Sequence, residues 1–155
     1  MANPFDLLPS NLFNLLSTQG ASSLHRHYMA ILLRIYTLGE FNRYGLARDV
    51  VHAEIVDYLN GADANAEIES EMAGQVQSGS EAGSITGLKS AQDYASYLIR
   101  RLEETGWIDR EQHADYSETI SLPDYSFTLL EAFRKVEEQK PHEFSGQIYT
   151  AHQLI

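Results

Sequence analysis

The chain contains no cysteine, four prolines and one tryptophan in 155 residues. Without cysteine it forms no disulfide and no thiolate metal site, which fits a reducing compartment. No apolar run approaches the roughly 20 residues of a membrane-spanning helix. The first residues also lack the cationic start and long apolar stretch of a signal peptide. We therefore expect a globular protein of the cytoplasm that has no contact with a membrane.

Positive charge is scarce as well. Eleven Lys and Arg stand against 22 Asp and Glu, and the net charge is −11. Affinity for nucleic acid depends largely on cations that neutralise phosphates, so an isolated domain of this charge should repel a duplex. A local basic patch is conceivable only in the nearly neutral first 60 residues, which contain Arg26, Arg34, Arg43 and Arg48. An acidic surface otherwise keeps a domain soluble.

The chain is rich in apolar residues at helical spacing, three to four positions apart. This pattern predicts helices at about residues 22–37, 47–59 and 90–105, and another that starts near 123. Ser90, with Asp93 three positions later, forms a capping box that begins the third of them. Gly106 ends the same helix as a left-handed cap.

Two short β-strands are predicted directly after Gly106. Trp107-Ile108 and Thr119-Ile120 flank a polar turn, which indicates a hairpin. A helix followed at once by a hairpin is typical of a winged helix. The predicted fold class is therefore mainly α, a winged-helix domain made of a helical bundle and a short β-hairpin wing, with additional C-terminal helices. Trp107 and Ile120 are expected to anchor the wing to the core.

The helix at 90–105 takes the position of a recognition helix. In a DNA-binding protein such a helix presents Arg, Lys, Asn or Gln to bases and phosphates. Here Arg100 and Arg101 are accompanied by acids, and the wing at 109–115 is net acidic. The acids of this helix are Asp93, Glu103 and Glu104. We expect the two arginines to contact carboxylates, and we favour a protein-binding winged helix over the alternative, a DNA-binding transcriptional regulator.

The domain organisation follows from a change of composition at 61–89. Gly, Ser and Ala dominate there, and five acids outnumber one lysine. Such a stretch has little apolar surface to offset the entropy of ordering, so we predict a flexible acidic loop with a frayed helical piece at 66–77. We assign residues 1–138 to one winged-helix domain that includes this loop. Residues 139–155 are expected to start a following helical segment that continues beyond the last residue.

Two apolar clusters exceed what a single helical stripe requires, and exposed clusters of this kind usually mark an interface. A symmetric homodimer is the commonest way to bury such a patch. The alternative is that both clusters close the core of the domain. The candidate interface residues are Phe5, Leu8, Leu12, Phe13 and Leu16 at the N-terminus, and Phe127, Leu130, Phe144 and Ile148 near the C-terminus.

No pattern in the sequence indicates catalysis. His25 and His27 point apart on a helix and have no third ligand at a familiar spacing. His52 and His113 have nearby acids but form equally weak metal motifs. The glycines at 79–83 lack the lysine and the flanking strand of a phosphate loop, and no serine lies in a nucleophile elbow. We expect a chain that is not an enzyme and that holds no metal and no cofactor.

Three segments of the chain carry a family resemblance: residues 5–16, residues 98–108 and residues 120–125. The second contains Leu-Glu-Glu-Thr-Gly-Trp-Ile at 102–108 before the wing, and the third contains Leu-Pro-Asp-Tyr at 122–125 before the next helix. Together they resemble JetA, the kleisin-like (MukF-like) subunit of the Wadjet SMC anti-plasmid defence system. The resemblance extends over most of residues 4–138.

The resemblance implies a structural, non-enzymatic N-terminal winged-helix domain of a kleisin. In such a complex the kleisin bridges the head and neck of an SMC ATPase dimer and carries a small winged-helix subunit of the KITE type. A related condensin kleisin dimerises through this domain, which implies a homodimer here. DNA is contacted only through the assembled complex, and a separate nuclease subunit cuts the plasmid. The chain ends before the middle segment and the C-terminal winged helix of such a subunit.

Overall fold

The computed structural model describes residues 3–17, 24–40, 42, 45–62, 64–71 and 90–139, and the backbone of 72–77. The N-terminus forms two 3₁₀ turns, Pro4–Leu7 and Leu12–Leu16. The other elements are α1 (Leu24–Gly39), β1 (Leu46–Ala47), α2 (Arg48–Gly61), α3 (Asn65–Gln77), α4 (Ala91–Glu104), β2 (Asp109–Gln112), β3 (Glu118–Ser121) and α5 (Asp124–Glu138). None of these helices is long and apolar enough to cross a membrane.

The three strands form one antiparallel sheet in the order β1-β3-β2. In its centre Ile120 pairs with Leu46 on one side and with Arg110 on the other. A hairpin that follows the helices and pairs with a short strand between the first two of them is the winged-helix arrangement. The predicted fold class, mainly helical with a β-hairpin wing, is confirmed.

The first strand of the wing starts later than predicted. Trp107 and Ile108 precede β2, and their backbone N–H groups both donate to the Leu102 carbonyl, with N···O distances of 2.9 and 3.3 Å. The amides of Trp107 and Ile108 therefore close the C-terminal end of α4, and they are not available for hydrogen bonds to a neighbouring strand. This turn requires a left-handed residue, and Gly106 has a φ of +92° as predicted.

The predicted start of α4 is confirmed in its atomic details. The Asp93 N–H donates to Ser90 Oγ at 3.4 Å, and the Ser90 N–H donates to Asp93 Oδ2 at 3.1 Å. Both halves of the capping box are therefore present, and two amides that have no partner within the helix are satisfied.

The hydrophobic core lies between α1, α2 and α4 and extends to the sheet. Trp107 lies in its centre with no exposed surface. The predicted helical faces of α1, α2 and α4 all point into this core. Its other large, completely buried side chains include Tyr28, Ile31, Leu32, Ile35, Ile55, Leu59, Leu98 and Leu102.

The helical piece predicted at 66–77 within the loop at 61–89 is present as α3. It packs more closely on the domain than the prediction implied, because the side chains of Ala64 and Ile68 are completely buried. Ile68 in the core and the hydrogen bond that Glu71 accepts from Tyr28 hold the helix, although the average composition is polar. The remainder of the predicted loop, 78–89, lies outside the described residues, as does the segment expected after residue 139.

Candidate functional site

α4 presents only a narrow stripe to solvent. Six of its side chains are buried in the core: Tyr94, Ala95, Tyr97, Leu98, Ile99 and Leu102. The exposed positions are Gln92, Asp93, Arg100 and Glu104. This face therefore offers one guanidinium and two carboxylates at the place where a DNA-reading helix needs cations.

The arginines near the wing are paired within the chain. Arg48 Nε lies 3.2 Å from Glu118 Oε2. Arg110 Nε lies 3.1 Å from Glu103 Oε2, and its Nη1 lies 3.9 Å from the same Glu118 carboxylate. Because these guanidinium groups already face carboxylates of the same chain, they contribute little to a DNA surface.

The two arginines of α4 behave differently. Arg101 Nε lies 3.4 Å from Glu71 Oε1 on α3, and its Nη1 lies 3.7 Å from Glu104 Oε2. The expected carboxylate contact is therefore made within the fold. The Arg100 guanidinium instead lies 5.9 Å from the centre of the Tyr97 ring. A carboxylate partner for Arg100 stays a prediction.

A polar cluster under α3 surrounds the Arg101–Glu71 pair. The Tyr28 hydroxyl donates to Glu71 Oε2 at 2.6 Å. Burial, and then the Glu71 carboxylate, raise the pKa values of Tyr28 and Tyr97 above that of a free tyrosine. Both phenols therefore stay protonated at physiological pH, and that of Tyr28 donates to Glu71. The sequence reading missed this cluster, because its members lie on three helices far apart in the chain.

The tip of the wing presents an aromatic ring. Tyr116 is 85% exposed and adopts a φ of +67°, which is uncommon for a bulky residue. The Ser117 hydroxyl and backbone N–H donate to Asp115 Oδ1 and lower the pKa of that carboxyl. The wing tip thus lacks the arginine or lysine of a DNA-binding wing. Tyr116 was missed in the sequence, where its only signal is an aromatic residue between turn formers.

The predicted N-terminal interface residues divide into exposed and buried ones. Phe5 is 70% exposed and Phe13 is 38% exposed, and their rings meet edge to face at 6.0 Å. Leu8 and Leu16 are partly buried against the core. The prediction is wrong for Leu12, which is completely buried, because the second 3₁₀ turn points it into the core. Leu7, which was not predicted, is 71% exposed.

The C-terminal candidates divide in the same way. Phe127 is half-buried and its ring centre lies 5.0 Å from that of Tyr36. Leu130 is completely buried where α5 packs on α1, so its assignment to an exposed interface is wrong. Val136, which lies between Leu130 and Phe144 in the sequence and was not predicted as an interface residue, is 66% exposed. Phe144 and Ile148 lie outside the described residues.

The two expected wing anchors are both completely buried. Ile120 is the central residue of the sheet. The Trp107 indole Nε1–H donates to the Leu12 carbonyl at 2.6 Å. This bond joins the wing root to the N-terminal segment.

An apolar groove of about 410 Å³ lies beside the second 3₁₀ turn. It is lined by Leu16, by Met29 and Leu33 of α1, and by Phe133 of α5. Leu16 therefore belongs to this groove, and the exposed ring of Phe5 belongs to a separate surface.

Three of the histidines, His27, His52 and His113, make hydrogen-bonding contacts with other parts of the chain. His27 Nδ1 lies 2.6 Å from the Tyr58 hydroxyl, and its Nε2 lies 3.5 Å from Glu67 Oε2. His52 Nε2 lies 3.0 Å from the Gln92 carbonyl, and His113 Nε2 lies 3.0 Å from Thr119 Oγ1. In the part of the chain that the structure describes, no three His, Asp or Glu side chains are grouped as metal ligands would be.

Comparison with known proteins gives one family. The model of the family described as Wadjet protein JetA matches residues 34–155. Wadjet protein JetA of Bacillus cereus (strain Q1) is 25% identical over 158 residues, which cover 100% of this chain and 31% of that protein. The chain thus spans about a third of the length of this relative.

Among solved structures, the crystal structure of MepR, a transcription regulator of the Staphylococcus aureus multidrug efflux pump MepA, is similar. Its sequence identity is 18% and its TM-score 0.37, and the match covers 82% of this chain and 73% of MepR. The family model matches residues 34–155, which are well over half of the chain and include α2, α3, α4, the wing and α5. The chain belongs to the Wadjet protein JetA family.

Proposed function

We propose that this chain is a structural, non-enzymatic winged-helix domain of a kleisin-like Wadjet subunit, and that it binds proteins rather than reading DNA. One observation carries the proposal: of the four arginines on or beside α4, all but Arg100 are paired with carboxylates of the same chain. Arg48, Arg101 and Arg110 each lie within 3.5 Å of a glutamate oxygen. With a net charge of −11, the domain has little left to attract a phosphate backbone.

We further propose that the N-terminal aromatic surface, which consists of Phe5, Leu7 and Phe13, is the seam of a symmetric homodimer. Two phenylalanine rings and one leucine are exposed on one short segment and form an apolar patch. In a two-fold symmetric dimer this patch packs against the same patch of the second chain, so that both are buried. The other partners in this proposal are an SMC ATPase and a small winged-helix subunit of the KITE type. DNA is then contacted in the cytoplasm through the assembled complex.

The first expected result concerns DNA. A labelled 30-base-pair duplex titrated with the purified chain at low salt should show no binding below about 100 µM protein, the weak end of non-specific affinity. The measurement is fluorescence anisotropy at two salt concentrations. A salt-sensitive complex that Arg100→Ala weakens would overturn the proposal in favour of the alternative, a DNA-binding transcriptional regulator.

The second expected result concerns the oligomeric state. Light scattering should give twice the chain mass of 17.5 kDa. Phe5→Asp should give monomers, since two carboxylates would be buried at the seam. Because Phe5 is 70% exposed, this change should alter the stability of the monomer by less than about 0.5 kcal/mol.

Val136→Asp is the matched control, since Val136 is similarly exposed, at 66%, on α5. It should leave the dimer intact. Dimers that survive Phe5→Asp but dissociate on Val136→Asp would contradict the N-terminal seam and assign the contact to α5.

A further inference from the structure

α3 lies over α1 and α4 and is held mainly by its glutamates. Glu71 accepts the hydrogen bond from Tyr28 and pairs with Arg101. Glu67 Oε2 lies 3.5 Å from His27 Nε2. Between these two carboxylates, Ile68 inserts into the core with no exposed surface. The described part of this interface is thus one aliphatic side chain flanked by acids one helical turn apart.

The surface under α3 is formed by α1 and α4, is rich in tyrosine and contains one arginine. We call it the tyrosine–arginine face; it consists of Tyr28, Tyr94, Tyr97 and Arg101. Burial and the Glu69 carboxylate raise the pKa of Tyr94, so that this tyrosine also faces an α3 acid. Each member of the face therefore either donates to carboxylates of α3 or lies in their field.

The fit between α3 and this face is incomplete. Tyr97 is 5% exposed, and among the described residues its hydroxyl has no hydrogen-bond partner. Buried donors without acceptors weaken an interface. A helix that kept the carboxylate at Arg101 and placed a second one against the Tyr97 hydroxyl would satisfy this donor, and should bind the face better than α3 does.

We propose that α3 is a displaceable cover, and that the tyrosine–arginine face is a docking site for an acidic helix of a partner protein. This inference goes beyond the proposed function. It is argued from the contacts of α3 with α1 and α4, and it does not depend on the homodimer or on the Wadjet assembly. The occupant now on the site shows the chemistry that the site accepts: carboxylates one turn apart and an aliphatic residue between them.

A nucleic acid fits this face less well than an acidic helix. Phosphates could replace the glutamates at Arg101 and Tyr28, but a sugar–phosphate backbone has no aliphatic group to fill the socket of Ile68. The rest of the chain is strongly acidic and would repel a polyanion over a longer range. A helix with one or two well-placed acids avoids most of that repulsion.

The cover should open without unfolding the domain. Ion pairs near a surface are weakened by salt, and an element with few apolar contacts opens at a lower free energy than the core. A partner helix binds only the open form, so its apparent affinity falls in proportion to the fraction of molecules that are open.

A labelled peptide with the sequence of residues 64–77 tests the site directly. Ile68→Asp should release α3 by placing a charge in the apolar socket. Ser70→Asp is the matched control, since it adds the same charge at an exposed position of the same helix. In fluorescence anisotropy, the peptide should bind the Ile68→Asp chain at least about tenfold more tightly than the Ser70→Asp chain.

Adding Arg101→Ala to Ile68→Asp should abolish this binding. Equal affinity for the two aspartate variants, absence of binding to both, or binding that does not depend on Arg101 would each overturn the proposal. Binding of a 20-base-pair duplex in preference to the peptide would assign the face to nucleic acid and overturn it as well.

A milder variant covers the case in which Ile68→Asp does not fold. Glu71→Gln keeps the size of the side chain and removes the charge that faces Tyr28 and Arg101. In hydrogen exchange, the amides of α3 should exchange about tenfold faster in this variant, while those of α1, α2 and α4 keep their rates. If the α3 amides exchange only together with the core amides, α3 is an integral part of the domain and the proposal is wrong.

Discussion

Replacing Trp107 with alanine should lower the free energy of unfolding by about 3–5 kcal/mol. The indole is completely buried in the centre of the core, where its removal leaves a large cavity. Its Nε1–H also donates to the Leu12 carbonyl at 2.6 Å, so this carbonyl would lose its donor. Urea denaturation followed by circular dichroism measures the change.

Two further variants separate these contributions. Trp107→Phe retains most of the apolar volume and should cost about 1–3 kcal/mol, the penalty for a buried carbonyl without a donor. Tyr116→Asn changes an aromatic residue that is 85% exposed, and asparagine tolerates the positive φ at this position. It should change the stability by less than about 0.5 kcal/mol. A similar loss in Trp107→Ala and Tyr116→Asn would contradict the central place of the tryptophan.

Gly106→Ala should lower the free energy of unfolding by at least about 2 kcal/mol. The glycine has a φ of +92°, where a side chain is strained. In addition, a Cβ atom built there lies 2.5 Å from Pro9 Cγ and 2.9 Å from Pro9 Cβ. The rigid proline ring has no flexible end to move aside, so the N-terminal segment would have to shift away from the wing root.

Gly61→Ala is the control for this prediction. Gly61 ends α2, and a Cβ atom there meets no other atom within 4 Å. Alanine loses less conformational entropy on folding than glycine, so the variant should be unchanged or more stable by up to about 1 kcal/mol. Equal effects of the two substitutions in the same denaturation experiment would show that Pro9 does not approach Gly106 this closely.

The elements that the sequence predicts well are those with local causes. The capping box of Ser90 and Asp93 acts over three residues, and the left-handed turn at Gly106 needs only the glycine itself. The helical faces of α1, α2 and α4 follow from the spacing of apolar residues. These features could be located without knowledge of any contact distant in the chain.

The division between core and surface within an apolar segment could not be predicted in this way. Leu12 and Phe13 are neighbours of similar hydrophobicity, yet Leu12 is completely buried and Phe13 is partly exposed. Their difference arises because the segment docks on Trp107, 95 positions further along the chain. Leu130 and Val136 of α5 differ in the same manner, according to which side of the helix packs on α1.

For α3 the sequence predicts a helical piece at 66–77 but not its packing on the rest of the domain. The composition of 61–89 indicates a chain that cannot bury enough apolar surface to be ordered. The fold supplies a socket for Ile68 and donors for Glu71 from two other helices, and these contacts order residues that are polar on average. Composition averages over a window, whereas one well-placed contact can decide the state of a helix.

The amino-acid sequence alone settles the scarcity of cations, the absence of cysteine and the helix-then-hairpin pattern of this chain. Charge and residue type are properties of composition, and turns and caps depend on near neighbours. The pairing of Arg101 with Glu71 and of Arg48 with Glu118 follows from the packing of the helices and the wing. An ion pair requires its charges to be within a few ångströms, and for residues distant in the chain only the folded backbone brings them that close.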